Sequence, residues 1–312
     1  MDAGRVESQR AGNLAAALAY VAFGAAAVSI RFSMRQSDAM ALAFLRYAIA
    51  VAVLFPVLWM RRVKVTFAPG DLPKTLMLGG VLYGALPVLT NLALARTTAW
   101  RASLIMSATP MLTLCFSSMM SVEKLSRTRL VGVLLSMAGV VLAIVPAILR
   151  GGGRSETLTG DLLMVGVTLG LSGYNVLSRP VVRKYPALPV TAYGMAISTA
   201  LLLPAMALQG PVTRVLSYGA QTWGAIVFLG LVGTALGFLL MTWALGQTGP
   251  ARVAIFQNGM PFTAGILGAL LLGEALSVWW AAGTVLVITG VVVANLNQRG
   301  PQPAPVVSSG AR

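Results

Sequence analysis

Residues 259–277 read GMPFTAGILGALLLGEALS, an apolar run that begins near Pro261 and ends at Glu274. Residues 108–126, ATPMLTLCFSSMMSVEKLS, have the same order of features: a proline, an apolar run and a glutamate, each 151 residues earlier. The match continues without a gap over about fifty residues, which indicates an internal duplication. The function of the chain therefore has to be read from the doubled unit.

The composition is that of a membrane protein with many spans. The chain has 312 residues, of which 57% are hydrophobic and 10% are charged, and its mean hydropathy is +0.82. One soluble core could not bury this much apolar surface. Apolar segments long enough to cross a bilayer as helices recur along the chain. We predict an all-α integral membrane protein with ten transmembrane helices, at 12–33, 39–60, 73–95, 99–120, 128–149, 160–179, 187–209, 221–246, 251–272 and 276–296.

The charges and the cysteine content exclude several classes of protein. The net charge of +15 would suggest nucleic acid binding in a soluble chain, but here the basic residues lie in short loops between spans. Such loops are topology signals. The sequence has no histidine, and Cys115 is its only cysteine. We therefore predict no disulfide, no metal site, no cofactor and no catalytic residue.

The loop charges predict the orientation. Lysine and arginine are about twice as frequent in the loops on the side of the N-terminus, so both termini are predicted to be cytoplasmic. Each repeat has five spans, an odd number, so the second repeat must enter the membrane inverted. The predicted division is a cytoplasmic segment 1–11, a first repeat 12–149, a linker 150–159, a second repeat 160–296 and a disordered cytoplasmic tail 297–312.

The ordered motifs resemble one known family. The chain resembles the EamA family of the drug/metabolite transporter superfamily, over nearly its whole length and in both halves. The resemblance rests on an aromatic-Gly pair in the first span, an Arg-aromatic pair in the second, and prolines and Gly-Glu-x-Leu in the fourth and ninth. In this sequence those residues are Phe23, Gly24, Arg46, Tyr47, Pro110, Pro261 and Gly273 to Leu276. The family more often has tryptophan at the position of Phe23. In the first repeat, Val122 replaces the glycine that usually precedes the glutamate, here Glu123.

The resemblance implies a function and a location. Members of this family mostly export small metabolites across a bacterial inner membrane, with both termini cytoplasmic and with spans five and ten at the periphery. The resemblance does not fix a substrate.

Polar residues at helical spacing predict which faces line a cavity. They come from the third, fourth, sixth and ninth spans. The predicted substrate-binding residues of this kind are Tyr83, Asn91, Ser107, Asn175, Gln257 and Asn258. The alternative is that these hydroxyl and amide groups only bond neighbouring helices.

Arg46 is the one cation deep within a predicted span. A cation there costs at least ~2.5 kcal/mol, so its side chain should face protein or water. We predict that it binds an anionic group of the substrate. The alternative is a structural arginine that caps helix carbonyls or extends outward to the membrane surface.

The prolines and the glutamates that end the apolar runs predict moving parts. A proline within a span removes one backbone donor and frees the carbonyl four residues earlier, so Pro110 and Pro261 are predicted hinges. Glu123 and Glu274, one toward each side of the membrane, are predicted gating residues. The alternatives are a static kink and a carboxylate that only stabilises the N-terminus of the next helix.

The pattern as a whole predicts a secondary transporter rather than an enzyme. Two inverted five-helix repeats are an architecture of alternating-access carriers, and none of the eight carboxylates lies mid-span to relay protons. We predict export of a small polar or amphipathic metabolite, such as an amino acid. Import, carriage of a phosphorylated compound and a non-transporting, partner-binding role remain alternatives. The predicted partners are a small-molecule substrate and the lipid bilayer, without nucleic acid, and a homodimer is left open.

Overall fold

The computed structural model describes residues 2–62, 68, 70–120, 127–147, 155–209, 212–248, 253 and 256–295. Within these ranges every regular element is helical. In chain order the α-helices are α1 Asp2–Ser33, α2 Ala39–Met60, α3 Asp71–Gly79, α4 Leu86–Leu94, α5 Ala99–Met106, α6 Thr109–Met119, α7 Arg127–Ala147, α8 Ser155–Leu177, α9 Arg179–Lys184, α10 Ala187–Gln209, α11 Ala220–Gly230, α12 Gly237–Thr248, α13 Met260–Leu272 and α14 Val278–Asn295.

The helices fit most of the predicted spans. Among the described residues, seven helical segments are long and apolar enough to cross a membrane: Gln9–Ser33, Ala39–Met60, Asp71–Leu94, Ala99–Met119, Glu156–Leu177, Leu188–Leu208 and Ala220–Met241. The other three predicted positions contain shorter apolar helices, at Leu130–Ala143, Met260–Leu272 and Val278–Val293. The chain is thus a multi-pass helical membrane protein, and the exact count of ten spans stays a prediction. The first helix begins at Asp2, ahead of the predicted start at residue 12.

The two repeats pack in opposite directions, which is clearest between α7 and α14. Gly132 and Gly283 are equivalent, 151 residues apart, and so are Gly139 and Gly290. In the structure Gly139 lies against Gly283, and Gly290 lies against Gly132. Each glycine thus contacts the non-equivalent glycine of the other helix. This pattern requires the two helices to be antiparallel and related by a local two-fold axis. Glycine allows the backbones to touch, as is common between membrane helices.

Two other pairs of equivalent spans, the second with the seventh and the fourth with the ninth, are also antiparallel. Phe55, near the end of α2, packs edge-on against Tyr193, near the start of α10, with ring centroids 5.8 Å apart. Glu274, just after α13, bonds the backbone of Ala99 at the start of α5. The largest buried cluster joins both repeats and includes Leu42, Leu94, Ile105, Met164, Ile226 and Leu229.

The third and eighth spans each contain one π-helical turn at an equivalent position. The first π segment is Gly80–Ala85, and the second is Leu231–Leu236, 151 residues later. Such turns are rare and are frequent at functional sites. Both pack against the opposite repeat, because Gly84 lies near Ser198 and Gly233 lies against Ala26.

The fourth and ninth spans are both interrupted near their prolines, whose role as hinges stays a prediction. The fourth span breaks between α5 and α6, with Pro110 in the first turn of α6. The ninth has a 3₁₀ turn at Gln257–Gly259 before α13, and Pro261 lies in the first turn of α13.

The carbonyls that the prolines were expected to free are already bonded. The Thr109 hydroxyl donates to the Met106 carbonyl at 2.6 Å. The Met260 N–H donates to the Gln257 carbonyl. Each break is therefore satisfied within the chain, because a hydroxyl or a shorter turn replaces the missing α-helical donor.

Candidate functional site

Five aromatic rings from four spans form a continuous cluster across the repeat boundary. Tyr20 and Phe23 of α1 lie 5.6 Å apart between centroids, and Phe23 lies 5.3 Å from Phe238 of α12. Tyr83, in the first π segment, lies 5.7 Å from Phe238 and 5.8 Å from Tyr47 of α2. All four contacts are edge-on, the favoured geometry for aromatic pairs. We call these five residues the aromatic cluster.

Arg46 adjoins the aromatic cluster on α2 and is half-buried. Its Nη2 donates to the Tyr47 hydroxyl at 3.0 Å, and its guanidinium carbon lies 4.6 Å from the centre of the Tyr47 ring. Its Nε is buried and has no hydrogen-bond partner among the described residues. None of the ion pairs in that part of the chain includes Arg46. Arg46 is therefore a cation with one buried donor that no described residue satisfies.

Tyr83 links the cluster to a small cleft. The residue is 4% exposed, and its hydroxyl lies 3.4 Å from the Thr191 hydroxyl. Besides Tyr83, the cleft is lined by hydroxyl groups and small apolar side chains of the third, sixth and seventh spans, among them Thr75, Gly79, Tyr174, Ser178 and Val190.

Asn91 and Ser107 are buried and bonded to backbone. Asn91 is fully buried, and its amide donates to the Ala39 carbonyl at 2.8 Å, which ties α4 to the start of α2. Ser107 is 1% exposed and donates to the Leu104 carbonyl at 2.6 Å. Asn91 Oδ1 still lacks a partner among the described residues.

Asn175 and Gln257 are half-buried. The Asn175 amide donates to the Thr113 hydroxyl at 3.3 Å, joining α8 to α6. The backbone of Asn258 lies in the 3₁₀ turn, and its side chain is outside the described part of the structure. Glu123 lies outside the described residues altogether.

Glu274 bridges the two repeats at one end of the bundle, which we call the Glu274 end. Its Oε1 pairs with Arg31 Nε at 2.8 Å, and its side chain is 5% exposed. Both carboxylate oxygens accept from the Ala99 N–H, at 2.9 and 3.1 Å. Arg31 also donates to the carbonyls of Leu94 and Thr97. The carboxylate thus satisfies a free donor at the start of α5 and interacts favourably with its helix dipole.

A second ion pair lies at the same end and is more deeply buried. Arg101 of α5 pairs with Asp161 of α8, and both side chains are at most 6% exposed. Arg101 Nε donates to the two carboxylate oxygens at 3.2 and 3.1 Å, and the Thr97 hydroxyl donates at 2.6 Å. We call Arg31, Arg101, Thr97, Asp161 and Glu274 the charged network.

The opposite end, which we call the Asp71 end, has a more exposed contact between the repeats. Lys184 donates to Asp71, and the side chains of that pair are 54% and 22% exposed. The Tyr185 hydroxyl donates to the same carboxylate at 2.7 Å and accepts from the Ala68 N–H at 2.9 Å. Hydrogen bonding to Asp71 raises the pKa of the Lys184 amine.

The family model for the EamA-like transporter family matches residues 10–145 and 158–296. This chain belongs to the EamA-like transporter family. The two matched segments correspond to the two repeats that pack antiparallel in the structure. Family membership identifies the protein as a membrane transporter rather than an enzyme, as the sequence predicts.

Individual relatives of this chain are also named as transporters. An uncharacterized transporter of Archaeoglobus fulgidus is 27% identical over 89% of this chain and 96% of its own length. A probable terminal-alkyne amino-acid exporter of Streptantibioticus cattleyicolor is 26% identical over 81% of this chain and 82% of its own length. One solved crystal structure has the same fold, with a TM-score of 0.67 and 23% identity over 93% of this chain and 97% of that chain.

The structure of this EamA-like transporter brings together residues that the sequence did not connect. Arg46 and Tyr83 meet through Tyr47, whereas Tyr20 and Phe238 were not identified as site residues. Asp161 was also missed. One signal in the sequence could have identified Asp161. The equivalent residue of the first repeat, 148 residues earlier, is Asn13, so this carboxylate marks a position where the two repeats differ.

Proposed function

We propose that this EamA-like transporter is an alternating-access exporter of small polar or amphipathic metabolites, with amino acids and related compounds as the first class to test. It would work in a bacterial inner membrane with both termini cytoplasmic. The single observation that carries the proposal is Arg46, a cation within a span whose buried Nε has no described partner. It adjoins an aromatic cluster to which both repeats contribute.

Arg46 and the aromatic cluster suit a carboxylate joined to an apolar body. Guanidinium groups bind carboxylates with two parallel hydrogen bonds, and each hydrogen bond to a charged group stabilises by about 1.5–3 kcal/mol. The rings of Tyr47, Tyr83 and Phe238 offer apolar edges beside the cation. A dianionic phosphate would favour several cations, and Arg46 is the only cation that stacks on one of these rings in the described part of the chain, so the phosphorylated substrate ranks lower.

Uneven packing along the fourth span supports alternating access. Every residue of 99–105 in α5 is buried, whereas most residues of 110–119 in α6 are half-buried. The helix α5 packs against α1, α4, α7, α8 and α13, whereas α6 packs mainly against α7 and α8. A pathway closed toward the Glu274 end and looser toward the Asp71 end is the arrangement expected of one carrier state. With the predicted orientation, the looser end faces the cytoplasm.

The name of the Streptantibioticus cattleyicolor relative, a probable amino-acid exporter, supports both the direction and the substrate class. The relative shares only 26% identity with this chain, so the choice among amino acids and related compounds rests on experiment.

The test compares metabolites in the medium and in the cytosol of cells that express wild type, Arg46→Gln or Arg96→Gln at equal membrane abundance. Arg96 is the matched control, because it is exposed and, among the described residues, its side chain donates to the Leu92 carbonyl of its own helix. We expect a carboxylate compound to accumulate outside with wild type and Arg96→Gln. Arg46→Gln should weaken its apparent affinity by about 10- to 150-fold.

Other outcomes would overturn parts of the proposal. Equal export by Arg46→Gln would remove Arg46 from the site. Depletion of a compound from the medium would reverse the direction to import. Unchanged metabolites with the wild type, over a broad panel of compounds, would favour a partner-binding protein.

A further inference from the structure

We propose that Arg31, Arg101, Asp161 and Glu274 form the external gate of the carrier, and that differences between the two repeats hold the resting carrier closed on the outside. The inference rests on the proposed alternating-access function. It names residues that act on the conformational step rather than on the substrate.

Both ion pairs of the charged network join one repeat to the other. Arg31 and Arg101 belong to the first repeat, and their partners Glu274 and Asp161 belong to the second. The bonds from the Thr97 hydroxyl and the Ala99 N–H cross in the same direction. Rocking one repeat against the other at the Glu274 end must therefore break two ion pairs and their supporting hydrogen bonds.

Burial makes these contacts costly to lose. The side chains of Arg101 and Asp161 are 6% and 5% exposed, and that of Glu274 is 5% exposed. Separating a buried pair leaves each charge without compensation until water reaches it. Lys184 and Asp71 at the other end are 54% and 22% exposed, so water replaces their contact readily.

Each residue of the charged network has an equivalent position in the opposite repeat, and most of these positions have the same residue type. Arg31, Thr97, Arg101 and Glu274 correspond to Arg179, Thr248, Arg252 and Glu123. Two positions differ: Asn13 replaces Asp161, and Pro250 replaces Ala99. The first change removes a carboxylate, and the second removes a backbone donor because proline has no N–H.

One of the two changed positions is visible in the structure. Asn13 Oδ1 is buried and has no hydrogen-bond partner in the described ranges. Asp161, its counterpart, accepts bonds from Arg101 and Thr97. By sequence, the cytoplasmic counterpart of the gate has one carboxylate where the external gate has two. The external gate is thus the stronger of the two, and the carrier rests open toward the cytoplasm, ready to take up substrate for export.

The test measures accessibility from outside and needs no substrate. Ala102 is 1% exposed and belongs to the buried cluster shared with Ala27 and Ala264, so a thiol there should meet external water only when the gate opens. The reporter is Ala102→Cys in a Cys115→Ser background, which removes the only native thiol. Its reaction rate with a membrane-impermeant maleimide is measured in right-side-out vesicles.

We expect slow labelling of the reporter without further substitutions and labelling about tenfold faster or more with Asp161→Asn, because Arg101 loses its only described acidic partner. Asn13→Asp should also speed labelling, by strengthening the cytoplasmic gate. The exchange Arg101→Asp with Asp161→Arg should return the rate toward the slow value. Asp71→Asn, the matched substitution at the exposed pair, should not raise it.

Two results would overturn the inference. One is an unchanged labelling rate in Asp161→Asn at normal abundance and with an unaltered elution profile, and the other is slower labelling in Asn13→Asp. Since labelling requires no transported compound, a gate that responds as expected in a protein that exports nothing would contradict only the proposed function. Export without any gate response would contradict only the gate.

Discussion

Alanine at Gly139 should separate the two equivalent helices α7 and α14. A Cβ there would lie 2.7 Å from the Gly283 carbonyl oxygen and 2.8 Å from the Val287 backbone nitrogen, against an ordinary contact distance of at least 3.4 Å. Both obstacles are backbone atoms, so no rotamer change relieves them. Reaching 3.4 Å from 2.7 Å needs a shift of about 0.7 Å between the helices, and overpacking of this kind costs about 1–3 kcal/mol.

The matched control is Gly166→Ala in α8, where an added Cβ meets nothing within 4 Å. Both substitutions gain the same helix propensity, about 1 kcal/mol, so the difference between the two variants isolates the steric cost. We expect Gly139→Ala to be less stable than Gly166→Ala by about 1–3 kcal/mol in denaturant unfolding in mixed micelles.

The local two-fold axis adds a second expectation. Gly290 is equivalent to Gly139, and its Cβ would lie 2.6 Å from the Gly132 carbonyl oxygen. Gly290→Ala should therefore cost about as much as Gly139→Ala. The double variant should cost less than the sum, because the first substitution already separates the helices. Stability of Gly139→Ala within about 0.5 kcal/mol of the control would refute this account of the interface.

Two further predictions concern single hydroxyl groups. Thr109→Val should destabilise the protein by about 1–3 kcal/mol, because it orphans the Met106 carbonyl at the break between α5 and α6. Thr90→Val, whose hydroxyl donates to a carbonyl of its own helix, should change stability by less than about 0.5 kcal/mol. Among the described residues, Tyr83→Phe loses the 3.4 Å contact with Thr191 and no other, and it keeps the ring, so it should unfold at nearly the wild-type denaturant concentration. A loss as large as that of Thr109→Val would show that the Tyr83 hydroxyl has a further partner.

The fold was largely predictable because its two main signals, apolar runs and an internal duplication, can be read from the sequence without knowing which residues are in contact. Apolar runs located the spans, and the duplicated prolines located breaks that the structure has at Pro110 and Pro261. The repeat offset also pairs Gly132 and Gly139 with glycines of the second repeat, but the contact between α7 and α14 is a finding of the structure.

The candidate site was less predictable because it depends on which side chains meet. Polar spacing selected Asn91, but its amide is used by the Ala39 carbonyl. Helical periodicity identifies a face and not the neighbour that the face meets. Arg31 and Arg101 read as loop charges in the sequence, because their partners Glu274 and Asp161 lie 243 and 60 residues away. Only the folded chain reveals that these charges are paired.

Residues shared by the two repeats and residues that differ between them have different roles in the proposed mechanism. The glycine contacts of α7 and α14 and the two π segments occur in both repeats, so they contribute similarly whichever end is closed. Asp161 and Asn13 differ, and they lie in the predicted gates, where each contact exists in one carrier state and not in the other. A ligand or a residue shifts a two-state equilibrium only through interactions that differ between the states. On the proposed mechanism, shared residues therefore preserve the scaffold, and the exchange of one carboxylate for one amide sets which way the empty carrier faces.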